Sequence, residues 1–118
     1  MPNTPDHRYN ACTILSGASI LTDGIDIHGT NLVGIIAPAA WTAAALTFQV
    51  SADNVAFYDL YDTAGAEVSI VVTAGKYLAL PAAALSGLDY IKLRSGTAGA
   101  PVNQAADRAF TLISKRYR

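Results

Sequence analysis

Few residues in this 118-residue chain could do chemistry. The candidates are two histidines (His7 and His28), one cysteine (Cys12), and the oxygen-rich set Asp53, Asn54, Asp59 and Asp62. With no second cysteine, a zinc site would need both histidines plus carboxylates. His7, however, lies in a proline-flanked segment and His28 at a turn before Gly29. The aspartates are calcium-type ligands, but their spacing does not follow an EF-hand loop. Asp53 and Asn54 read more simply as turn formers. Glycoside hydrolysis needs an acid of raised pKa beside a second carboxylate, and Glu67 is the sole glutamate. There is no Gly-x-Ser-x-Gly elbow for a serine nucleophile. Ser95 to Ala100 has the glycines of a phosphate cradle without the Gly-Lys-Ser/Thr ending. Cys12, beside Thr13-Ile14-Leu15, reads as a small buried hydrophobe. The expectation is a protein that is not an enzyme and uses no metal or cofactor.

The aromatic residues Trp41, Tyr58, Tyr61, Tyr77 and Tyr90 have three possible uses. Core packing ranks first, a protein interface second and a sugar-stacking platform third.

The elements that must position these residues are short strands. Leu46, Phe48 and Val50 alternate with Thr47, Gln49 and Ser51, the period of a strand with one buried face. Ala52-Asp53-Asn54 turns the chain into the aromatic run Phe57 to Tyr61. Further strands are expected at Thr13 to Leu15, Ser19 to Leu21, Ile25 to Ile27, Glu67 to Val72 and Lys76 to Leu80. Tyr90 to Ser95 follows with Ile91 and Leu93 inward, then Ala109 to Lys115 with Phe110, Leu112 and Ser114 on one face. Leu32 to Ala37 is nearly continuous in apolar residues and predicts a strand covered on both faces or lying at an interface. Pro81 and Gly87 punctuate a single helical turn. Residues 1–11, with Pro2 and Pro5, read as an extended N-terminal arm, leaving 12–118 as one domain. Many short strands joined by turns predict an all-β antiparallel sandwich of jelly-roll type, although Ig-like sandwiches share this punctuation.

Composition narrows the function classes. Charged residues make up 14% of the chain and hydrophobic ones 52%, against about 25% charged in ordinary soluble domains. A surface so poor in charge suits a protein covered by neighbouring subunits. The net charge of −1 argues against nucleic acid and anionic membranes as partners. The N-terminus has no apolar signal region, so synthesis in the cytoplasm is expected. The one local charge bias is Lys115, Arg116 and Arg118 at the C-terminus.

Taken together, Trp41 to Tyr61 (WTAAALTFQVSADNVAFYDLY), Tyr90 to Thr97 (YIKLRSGT) and Ala98 to Asp107 (AGAPVNQAAD) resemble proteins encoded beside the head genes of tailed bacteriophages. The resemblance spans about Trp41 to Arg108. It implies a capsid decoration, or cement, protein, or a minor head protein, on the virion's outer surface: for a decoration protein, a β-rich trimer, made in the host cytoplasm, that bridges capsomers through contacts with the major capsid protein. The same block also resembles discoidin-like jelly-roll modules, without their cysteine pair. That implies a non-catalytic carbohydrate-binding module of a virion or tail fibre as the alternative. For capsid or protomer contact, the candidates are Pro5, His7, Arg8 and Tyr9 in the arm, Trp41, and Lys115, Arg116 and Arg118 in the tail.

Overall fold

A computed structural model describes residues 7–116. Nine strands and one helical turn follow one another. They are β1 (His7–Ile14), β2 (Ile25–Asp26), β3 (Thr30–Ile36), β4 (Ala45–Ser51) and β5 (Tyr58–Asp59), then β6 (Ser69–Val71), β7 (Tyr77–Ala79), α1 (Ala82–Leu85), β8 (Tyr90–Ser95) and β9 (Arg108–Arg116). One sheet has the order β1-β9-β3-β7. The other has β2-β8-β4-β5, with β6 also on β4.

The pairing rule behind this order is that of a rolled ribbon. β5 and β6 pair with different residues of β4, Gln49 and Val50 for β5 and Ala45 to Thr47 for β6, and so occupy one strand position interrupted by an excursion. Counted that way, the first strand pairs with the last, the second with the seventh, the third with the sixth and the fourth with the fifth, all antiparallel. An eight-position ribbon folded over on itself is a jelly roll. The excursion is a hairpin whose arms meet at Tyr61 and Glu67.

The core lies between the sheets. Leu46 and Phe48 of β4, Ile91 and Leu93 of β8, and Phe110 and Leu112 of β9 are fully buried there. Each set has the period-two spacing read from the sequence. Pro81 opens α1, and Leu85 is its buried residue. Leu32 and Ile35 of β3 also reach the core, but Ile36 is 42% exposed. The expectation of cover on both faces of β3 is therefore corrected within this chain. A bulge between Leu32 and Gly34 shifts the alternation and makes the run look continuous.

β1 begins at His7 and runs through the second half of the expected arm, pairing with β9 from His7↔Lys115 to Ile14↔Arg108. Residues 7–11 thus belong to the sheet. Their polar composition hid this, because an edge strand needs cover on one side only.

Gln104 ties the loop before β9 to the rest. Its side chain, 1% exposed, accepts from the Thr42 backbone N–H and Arg108 Nε. It donates to the Thr42 carbonyl and Ser95 Oγ. Gly96, at φ +89°, begins this loop, and an added Cβ would lie 2.5 Å from the Ala100 carbonyl oxygen.

Candidate functional site

The outward-facing residues of the two sheets differ in chemistry. On β4 and β8 the outward set pairs Thr47 with Arg94, Gln49 with Lys92 and Ser51 with Tyr90. Asp59 joins it beside Gln49 and Asp26 beside Tyr90. This face is polar and charged. At its centre the Arg94 guanidinium donates to Thr47 Oγ1 at 3.0 Å, Asp59 at 2.7 Å and Glu67 at 2.6 Å. The Thr47 hydroxyl donates in turn to the Gly96 carbonyl, and Glu67 accepts the Ala98 N–H. Arg94 thereby pins the Leu60–Val68 hairpin to the Gly96 loop. The hydrogen bond from Arg94, then that from Gln49, holds the Asp59 carboxyl below the usual carboxylate range.

The other oxygen ligands are also occupied. Asp53 accepts from the N–H groups of Val55 and Ala56, which lower its pKa. Asp62 accepts from those of Ala64 and Ala66. Both are turn formers, as the spacing indicated. The three carboxylates of the Asp53–Asp62 set serve separate local structures. His28 pairs with Asp89 at 2.7 Å, and that hydrogen bond raises its pKa.

The outer face of the β1-β9-β3-β7 sheet is of another kind. One row across it runs Tyr9, Ile113, Gly34, Ala79, and the next runs Ala11, Thr111, Ile36, Tyr77. No residue in these two rows is charged. Tyr9 and Tyr77 are 65% and 55% exposed. Ile113 is only 5% exposed yet lies outside the core cluster, so side chains on the outer face cover it. The hydroxyl end of the Tyr77 ring lies where a Cβ on Gly34 would be; the missing side chain is what lets the ring pass over β3. Lys115 and His7 close one end of this face as a cross-strand pair.

The structure brings most of the candidate contact residues together. His7, Arg8 and Tyr9 on β1 stand opposite Lys115, Ser114 and Ile113 on β9, and Arg116 is the next residue of β9. Trp41 is elsewhere: its indole N–H donates to the Ala44 carbonyl at 3.0 Å, and its ring packs edge-on against Phe110. Its ring therefore packs within its own chain. Pro5 and Arg118 lie outside the described residues. Sequence reasoning missed Arg94, Glu67 and Gln104. The only available signal for Arg94 was its outward parity in a strand whose alternate residues, Ile91 and Leu93, are apolar.

Among the described residues no group of three or more His, Cys, Asp or Glu side chains is placed to hold a metal ion, and no helix is long and apolar enough to cross a membrane. No family model matches the chain, and no curated protein matches it. Among solved structures, the chain is similar to the SPBc2 prophage-derived protein YomS. The TM-score is 0.52 at 12% identity, over 97% of this chain and 98% of that one. The two share a fold from end to end.

Proposed function

We propose that the protein is a structural component of a tailed-phage virion that binds the outer capsid surface and bridges capsomers. The observation that carries this reading is the outer face of the β1-β9-β3-β7 sheet, whose two central rows bear Tyr9 and Tyr77 and no charge, set against a charged face on the opposite sheet. A sandwich with one apolar and one charged side has a built-in orientation on a surface: the apolar side faces protein and the charged side faces water. At about 25 cal/mol per Å² of apolar area, modest burial repeated at many junctions adds up through multivalency. The partners in this reading are the major capsid protein and further copies of the chain. The fold shared with a prophage-derived protein supports it.

The test is cosedimentation with purified heads of the phage that encodes the chain. The natural protein pellets with the heads. Ile36→Lys, a change on the apolar face that leaves the core untouched, melts within about 2 °C of it and stays in the supernatant. No pelleting of the natural protein, or full pelleting of Ile36→Lys, overturns the proposal.

A further inference from the structure

Among the described residues only one edge of this sandwich is long and open. β7 offers three residues and β2 two. The outer side of β4 is filled by β5 and β6, with the pinned hairpin between them. β1 runs eight residues in continuous register against β9, without a bulge or proline. Among the described residues, no strand or backbone hydrogen bond occupies its other side. Natural sheets blunt such edges with bulges, prolines, charged side chains or cover; among the described residues β1 has one of these, the charge of Arg8.

The edge is also polar in the electrical sense. Its N-terminal end carries Arg8, whose exposed guanidinium donates to the Asp26 backbone carbonyl at 3.2 Å, with Lys115 and Arg116 on the adjacent β9. Asp26 also lies at that end, where its carboxylate accepts from the His28 backbone N–H. The C-terminal end carries Asp107, which accepts from the Ser16 N–H. Asp23 lines a cavity of about 290 Å³ together with Cys12, Thr13 and Leu15. Half-buried Arg108, at that end, is turned to Gln104 and Thr42.

We infer that β1 is the seam of a homodimer, in which two copies of the strand pair antiparallel across a twofold axis. An antiparallel partner presents its acidic end to the basic end of the first copy, twice over, and a second copy of β1 supplies that partner. Centred on Ala11, the pairing sets Arg8 opposite Ile14 of the second copy, between Thr13 and Leu15, which line the same cavity as that copy's Asp23. This centre keeps outward-facing residues on one side. The two four-stranded sheets then become one of eight strands, with the two apolar faces side by side. Capsid binding is not required for this seam, so failure of either proposal leaves the other standing.

Sedimentation equilibrium in low salt tests it, using the full chain and charge reversals. Arg8→Glu alone and Asp23→Arg alone each weaken self-association by about tenfold, since two equivalent exposed pairs change sign in each dimer. A one-to-one mixture of the two variants regains the natural affinity, because in the mixed dimer both contacts are attractive again. That rescue belongs to a twofold antiparallel seam and does not arise from damage to the fold. Amide exchange at residues 8–14 slows with protein concentration in the natural chain. A natural protein that stays monomeric at 100-micromolar order, a trimer, or variants that fail to rescue each other would overturn the inference.

Discussion

Replacing Arg94 with methionine, which keeps an unbranched stem about as far as Nε and removes the charged guanidinium, isolates the ion cluster on the charged face. The guanidinium side chain is 7% exposed and contacts Asp59, 36% exposed, and Glu67, 16% exposed. Without it two carboxylates share a half-dry site, with the Ala98 N–H and the Gln49 amide as their remaining donors. Removing one partner of a fully buried pair costs about 3–5 kcal/mol. The exposure of Asp59 lets water screen part of this, so about 2–3 kcal/mol is expected. For a domain of this length, that lowers the melting temperature by about 8–12 °C. The loss also depends on pH. In the natural protein the folded pKa of Asp59 is depressed, first by the Arg94 hydrogen bond. Its contribution to stability is therefore present above the unfolded carboxylate pKa of about 3.9, and it fades as pH falls through the folded value. The variant lacks that contribution and is relieved when the carboxylates take up protons. Urea denaturation of both proteins from pH 7 down to pH 3.5 should show the gap narrowing. A gap that stays constant with pH, or a melting temperature within 2 °C of the natural protein, would refute the assignment of Arg94 as a charged pin.

Other substitutions test the remaining joints. Gly96→Ala combines a positive φ with backbone atoms 2.5–2.8 Å from the new Cβ, so a loss of about 2 kcal/mol or more is expected in chemical denaturation. Gln104→Ala strands the Thr42 backbone groups and Ser95 Oγ and should cost about 2–3 kcal/mol. A neutral result would mean these groups find other partners. Burial pushes the Cys12 thiol up to about 12. Alkylation by iodoacetamide at pH 8 should then run about a thousandfold slower than for a free thiol, and should recover the ordinary rate in urea. Rapid labelling of the native protein would show that the groove beside β1 is wetter than its lining indicates.

The central strands were legible in the sequence because they satisfy two conditions together. Leu46/Phe48/Val50, Ile91/Leu93 and Phe110/Leu112 keep strict alternation, and each strand lies between hydrogen-bonded neighbours or faces the core squarely. The helical turn was legible from Pro81 and Gly87 alone. β1 was hidden because His7, Arg8 and Asn10 do not alternate with apolar residues, and pairing with β9 is a long-range event with no local signature. The apolar outer face was hidden for a related reason. Its members come from four strands, each contributing two or three residues, and only the register assembles them. Low overall charge was its trace in the composition. Arg94 with Glu67 and Asp59, which are 27 and 35 residues away in the chain, left no pattern at all.

The position of β9 between β1 and β3 also governs the order of events during folding. Both neighbours are made early, yet among the described residues β1 bonds only to β9, and β3, which can meet β7 first, stays open along its other side until the ninth strand exists. Contacts that close loops of this length form slowly. At about 5–20 residues per second of synthesis, Leu32 and Ile35 wait several seconds for the strand that will cover their flank. In that interval the nascent chain offers an apolar strand with one open side to any other chain close by. A protein made in many copies at once would therefore depend on chaperone capacity most during its own translation, and least once β9 has closed the sheet.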